Sequence, residues 1–165
     1  VKPVVAGVPI YEAAILPEWI DYNGHVRDAY YGLVASSACD ALMDRLGLDA
    51  AYRTRTHCTL YTVEMHVHYL HEVQQGDRVA VAVTILASDH KRLHAGFTLR
   101  RAPDGPVAAT VEFMLLHVRQ GDTPGSEPFP PEVASAIAAL AAAAPAAGFG
   151  PGSRALSLRG GARSG

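Results

Sequence analysis

Cysteine is scarce in this chain. Only Cys39 and Cys58 occur among 165 residues, without CxxC spacing, so neither a disulfide framework nor a cysteine zinc site is indicated. No stretch of about 18 consecutive apolar residues is present, which excludes a membrane-spanning helix from the reading. Val1-Lys2-Pro3-Val4 also opens without the apolar run of a signal peptide. A basic excess is missing too. The 14 Lys and Arg face 16 Asp and Glu, for a net charge of −2, and the basic residues are scattered, which argues against a nucleic-acid footprint. No glycine-rich dinucleotide loop follows a strand. The expectation is a soluble cytoplasmic protein with no nucleic-acid or membrane partner, built as one domain with a tail.

What is present concentrates in Trp19-Ile20-Asp21-Tyr22-Asn23-Gly24-His25, where three groups able to handle protons or hydrogen bonds surround one glycine. Gly24 permits a backbone conformation or close approach that a side chain would block. The chain then turns apolar for about twenty residues, and this pattern predicts a helix. Asp28 stands where an N-cap belongs, and Gly47 where a glycine stop belongs. Tyr30, Leu33, Val34, Ala38, Ala41, Leu42 and Leu46 cover most of its circumference, so something must wrap it. The small residues Gly32, Ala35, Ser36, Ser37 and Ala38 would let a sheet approach closely.

A first strand is expected between Gly7 and Leu16, interrupted by Pro9 and ended by Pro17. After a short helical or irregular piece near Leu48 to Arg53, Thr59 to Leu70 alternates with period two. Tyr61, Val63, Met65, Val67 and Tyr69 read as one face; Thr62, Glu64, His66 and His68 read as the other. Three further strands follow, marked by Val79 to Ile85, Leu93 to Leu99 and Val107 to Leu115, with turn residues between them. The fold class is therefore α+β: a five-stranded antiparallel sheet curled around one long central helix. The domain is placed at residues 1–120. Residues 121–165 read as a Pro/Gly/Ala-rich tail with a short surface helix of few anchors, partly mobile.

Glu64, His66 and His68 on one strand face are open to a metal site, an acid–base pair or a substrate-facing role. No third distant ligand is fixed by motif, and no metal is assigned. Lys91 and Arg92 either meet phosphate groups or form a solvated charged turn.

A strand, an Asp-x-Asn-Gly-His loop, one long helix and four antiparallel strands together resemble the hotdog-fold acyl-CoA thioesterases of the 4-hydroxybenzoyl-CoA thioesterase type, over about residues 7 to 119. Trp19 to His25, with Tyr61-Thr62-Val63-Glu64-x-His66, Lys91-Arg92-Leu93-His94 and Leu116-His117-Val118, is similar to the betainyl-CoA thioesterases of carnitine breakdown. The resemblance implies cofactor-free hydrolysis of a short-chain acyl-CoA to free acid and CoA. It also implies a homodimer, or a dimer of dimers, with sites at the subunit interface. A non-catalytic acyl-CoA-binding module and an enoyl-CoA hydratase are the alternatives.

By the same resemblance, the acidic residue three positions before the loop glycine, Asp21, attacks the thioester or activates the water that does. The backbone N–H of Asp28 is the matching oxyanion donor at a helix start. Asn23 and His25 join the catalytic set, either orienting water or holding the loop; the plainer reading is turn closure for Asn23 and a carbonyl bond for His25. Were the acyl group a trimethylammonium, aromatic faces would each contribute about 0.5–2 kcal/mol. Tyr22, Tyr30, Tyr31, Tyr61 and Glu64 are the candidates, and Lys91 and Arg92 would meet the CoA phosphates.

Overall fold

The computed structural model describes residues 7–150. Strand β1 (Val8–Ala14) leads through a 3-10 turn at Pro17–Trp19 and the polar loop into helix α1 (Asp28–Arg45). A short helix α2 (Ala50–Thr56) precedes strands β2 (Cys58–Tyr69), β3 (Arg78–Ser88), β4 (Arg92–Ala102) and β5 (Val107–Arg119). Gly125–Ser126 form a two-residue strand β6, and Pro131–Ala143 form helix α3. The sheet is antiparallel throughout, in the order β1-β3-β4-β5-β2, with β6 beside the end of β5.

Strict alternation places Val79, Val81, Val83 and Ile85, then Leu93, Ala95, Phe97 and Leu99, then Ala109, Val111, Phe113 and Leu115 on the face toward α1, and all are buried. Tyr31, Val34, Ala35, Ala38, Cys39, Leu42 and Met43 answer them from α1. Ala35 and Ala38 are fully buried, so the small side chains do bring helix and sheet together. Each large apolar side chain enclosed here contributes about 1.5–3 kcal/mol.

Three expectations need correction. First, α1 has Arg27 as its N-cap, in extended conformation, and Asp28 is already the first helical residue. Asp28 serves the helix differently, with Oδ1 accepting the N–H of Ala29 at 2.9 Å.

Second, β2 does not keep one face along its length. A bulge between Thr62 and Glu64 shifts its register on β5: Tyr61 lies opposite Leu116 and Thr62 opposite Leu115, but Glu64 opposite Met114 and Met65 opposite Phe113. One extra residue reverses the alternation. Tyr61 therefore shares the outer face with Glu64, His66 and His68, while Leu60, Thr62, Met65, Val67 and Tyr69 point to the helix side.

Third, α3 is anchored. Val133, Ile137 and Leu140 are buried members of the core. Beyond α3, Phe149 lies on the outer face against Gly96, so close that a Cβ there would sit 2.6 Å from its ring. The expected mobility of the tail falls in part on residues 151–165, outside the described residues.

β2 is an edge strand with no partner on its outer side among the described residues. Its Val63, Met65 and Tyr69 are 57%, 48% and 54% exposed, and Leu33 of α1 is 46% exposed.

Candidate active site

The polar loop is a closed, self-bonded turn. The Asp21 N–H donates to the His25 carbonyl at 2.8 Å, and the Gly24 N–H to the Asp21 carbonyl at 3.1 Å. Gly24 sits at φ +81°, which explains the glycine. Asp21 Oδ1 accepts the backbone N–H groups of Asn23 at 2.8 Å and His25 at 3.3 Å. The Asn23 side chain bonds the same carboxylate.

Burial pushes the Asp21 carboxyl up. The Asn23 and His25 backbone amides, the Asn23 side chain and the nearby His25 charge together outweigh that effect and hold it below the ordinary carboxylate value. Asp21 is an anion at neutral pH.

The β2–β3 connection backs this turn. Val26 donates to the Val73 carbonyl at 2.8 Å, and His25 bridges to Gln74. The His25 ring Nε2 lies 3.1 Å from Glu72 Oε2. Tyr31, whose phenol burial pushes up, also contacts the Val73 backbone. Glu72 has no place in the sequence reading, because it lies 47 positions from His25 on a connection without motif.

The loop delivers its polar groups to the start of α1. Arg27 N–H is taken by the Trp19 carbonyl at 2.9 Å, and Tyr30 N–H by the Arg27 carbonyl at 3.0 Å. With Ala29 bonded to the Asp28 carboxylate, the Asp28 N–H is left without a partner among the described residues. Trp19 stacks on Tyr30, centroids 5.2 Å apart and planes 13° apart. Tyr22 is 93% exposed at the loop tip.

The other expected site residues lie elsewhere in the protomer. The Tyr69 hydroxyl reaches the Asp28 carbonyl at 3.2 Å, so the end of β2 marks the loop side. Tyr61, eight residues back along β2, is about 25 Å from there. Arg92 stands in the same row of the outer face, across Leu116. The Arg92 guanidinium is bound to Asp89 Oδ2 at 2.6 and 2.7 Å, and Lys91 Nζ reaches Ser126 Oγ at 3.1 Å. A cavity of about 270 Å³, lined by Ala87, Ser88, Asp89, Arg92, His94 and Met114, opens beside them. Glu64 is turned to His66, at 2.5 Å, and His94 to Glu112, at 2.8 Å. One protomer thus joins Asp21, Tyr22, Asn23, His25 and Asp28, but not Tyr61, Glu64, Lys91 or Arg92.

An antiparallel sheet curled around one helix, with a carboxylate loop leading into that helix's first turn, defines a hotdog-fold thioester hydrolase. The chain belongs to the thioesterase-like superfamily, which matches residues 15–137. It is 49% identical over 133 residues to a betainyl-CoA thioesterase of Pseudomonas aeruginosa, covering 81% of this chain and 83% of that one. A fused L-carnitine dehydrogenase/betainyl-CoA thioesterase of Agrobacterium fabrum is 43% identical over 109 residues, or 66% of this chain and 22% of that protein. Among solved structures, a Staphylococcus aureus protein in complex with CoA superposes with a TM-score of 0.78 at 31% identity, covering 88% of this chain and 90% of that one. No helix among the described residues is long and apolar enough to cross a membrane.

Proposed function

We propose that this thioesterase hydrolyses betainyl-CoA to betaine and CoA, with Asp21 as the attacking group. The observation that carries this reading is the Asp21 carboxylate, pinned through Oδ1 by its own loop at the start of α1. A depressed carboxyl is a weak base but a persistent anion, which favours direct attack over water activation. The Asp28 N–H, at the positive end of the helix, serves the developing oxyanion. Asn23 holds the turn.

The substrate rests on the 49% identical betainyl-CoA thioesterase and on chemistry. In betainyl-CoA the ammonium nitrogen is one methylene from the reacting carbonyl, so only groups close to Asp21 can meet it. Tyr22 and the stacked Trp19–Tyr30 pair supply aromatic faces on the same loop and helix start.

The working unit is a homodimer paired through β2, whose open edge and apolar side chains need a partner. Antiparallel pairing of two β2 strands brings the Tyr61 end of one protomer beside the Tyr69 end of the other. The Lys91–Arg92 turn, at the Tyr61 end, then comes to the partner's loop side with its basic pair toward the CoA phosphates, whereas Tyr61 and Glu64, on the face away from α1, are not assigned to the acyl pocket. The reaction takes place in the cytoplasm, where Cys39 and Cys58, both buried and free, stay reduced.

The test is a panel of acyl-CoAs assayed with a thiol reagent. Betainyl-CoA is expected to give the highest kcat/KM, and equal values for uncharged short-chain substrates would remove the betaine assignment. A hydroxyacyl-CoA product would indicate a hydratase, and binding without turnover a non-catalytic module.

A further inference from the structure

His25 is held at two points. Its backbone is locked into the Asp21 turn and bridged to Gln74. Its ring is met by Glu72, whose Oε2 lies 3.1 Å from Nε2. An ionised carboxylate only accepts hydrogen bonds, so Nε2 carries the hydrogen and Nδ1 is the other ring position for proton exchange. The charged groups recorded around His25 are Asp21, on its own loop, and Glu72, on the β2–β3 connection; Tyr31 is near enough to feel the Glu72 charge. Glu72 is 66% exposed, so the pair adds little to folding, and orientation is what remains for it to supply.

Resting on the thioesterase reading, we propose that Glu72 is a positioning residue that fixes the His25 ring as the Nε2–H tautomer and directs Nδ1 at the water of the second step. In the first step an Asp21 oxygen forms a bond to the thioester carbon and the C–S bond breaks, giving a mixed anhydride and CoA thiolate. Water then adds to the anhydride. His25 Nδ1 takes one water proton as the C–O bond forms, the anhydride splits into the acid and a restored Asp21 carboxylate, and the imidazolium passes its proton to the thiolate. Glu72 keeps the ring oriented through that exchange, as the acid behind the histidine of a hydrolase triad holds its imidazole in one tautomer.

The test compares the wild-type chain with Glu72→Ala, Glu72→Gln, His25→Ala and the double His25→Ala/Glu72→Ala variant on the acyl-CoA turned over fastest in the panel. Losing the orientation is expected to lower kcat about 10- to 100-fold in Glu72→Ala with KM little changed. Glu72→Gln, which keeps an acceptor for Nε2–H, should recover much of the loss. The double variant should be no slower than His25→Ala alone, since Glu72 acts through His25. In parallel, 15N NMR of the His25 ring should report Nε2–H in the wild type and a tautomer mixture in Glu72→Ala.

Wild-type kcat in Glu72→Ala, losses that multiply in the double variant, or an unchanged tautomer would each overturn the proposal. A wild-type chain that frees no CoA from any acyl-CoA would overturn the thioesterase reading together with the catalytic role, and the NMR would still decide whether Glu72 sets the tautomer.

Discussion

The Asp21 carboxylate accepts the Asn23 amide at 2.8 Å through Oδ1, the same oxygen that takes the His25 amide. Oδ1 therefore builds the loop, while the proposed attack calls on the charge of the carboxylate. An asparagine at 21 can keep the first role, because its carbonyl oxygen accepts the same amides, but it has no charge for the second. Asp21→Asn is expected to fold as the wild type and to lose about 1,000-fold or more in kcat/KM. Circular dichroism with the CoA-release assay checks it, and near wild-type turnover in a folded variant would remove Asp21 from the mechanism.

Direct attack also has an isotopic signature. Under single-turnover conditions in ¹⁸O water, water adding at the aspartyl carbonyl of the anhydride leaves the label on Asp21 and the first-formed acid unlabelled. Mass spectrometry of acid and protein reads both. Label in the first acid, with none on Asp21, would mean that water attacks the acyl carbon.

Much of the fold is legible in the alternation itself, and the misreadings share a physical cause. Val79, Val81, Val83 and Ile85 declare their strand because each branched side chain falls on one side of the pleat. On β2 the same reasoning is right about the strand and wrong about Tyr61, because the bulge after Thr62 slips the faces by one residue and leaves no mark in the sequence. Val133, Ile137 and Leu140 carry a helical spacing, but the alanines around them dilute it. In the candidate site, the turn that joins Asp21, Asn23, Gly24 and His25 is readable because it is local. Glu72 is not, since a contact across 47 positions exists only after β2 has folded back.

The open edge of β2 gives a third prediction. Val63 lies at the bulge, 57% exposed, so a lysine there costs the protomer little packing. It would put a charge where, in the proposed dimer, a second β2 strand pairs. Val63→Lys is expected to shift a dimeric wild type to monomer in sedimentation and to lower hydrolysis about tenfold or more, since the proposed dimer completes the site with the partner's Lys91–Arg92 turn. A variant with unchanged mass and activity would place the dimer contact elsewhere.

Asp89 supplies a prediction about pH. The Lys91 amide donates to its Oδ1 at 3.0 Å, the Arg92 side chain to Oδ2 at 2.7 Å and the Arg92 amide to Oδ1 at 2.7 Å, holding the carboxyl well below the usual carboxylate range. A carboxyl depressed in the folded state contributes stability that is complete above its unfolded value and lost as pH falls through and below that value. Asp89→Asn should therefore lower Tm at pH 7, with the difference from wild type narrowing below about pH 4. A Tm difference that stays constant down to pH 2 would mean that the turn does not depend on the ionised form.

Gly96 and Phe149 give the last. The ring occupies the space a Cβ at 96 would need, with three ring carbons 2.6, 2.7 and 2.9 Å from that position. Gly96→Ala must push the ring away, an overpacking that costs about 1–3 kcal/mol. Phe149→Ala alone loses the ring's cover over the sheet, yet it also removes the obstacle. The two substitutions share one contact, so they should not add: the double variant is expected to be no less stable than Phe149→Ala alone. Urea unfolding of the four proteins measures this directly. Additive losses would show that the C-terminal segment does not rest on β4 in solution. Non-additive losses would make the segment from α3 to Phe149 part of the folded unit, which is where its buried Val133, Ile137 and Leu140 already place it.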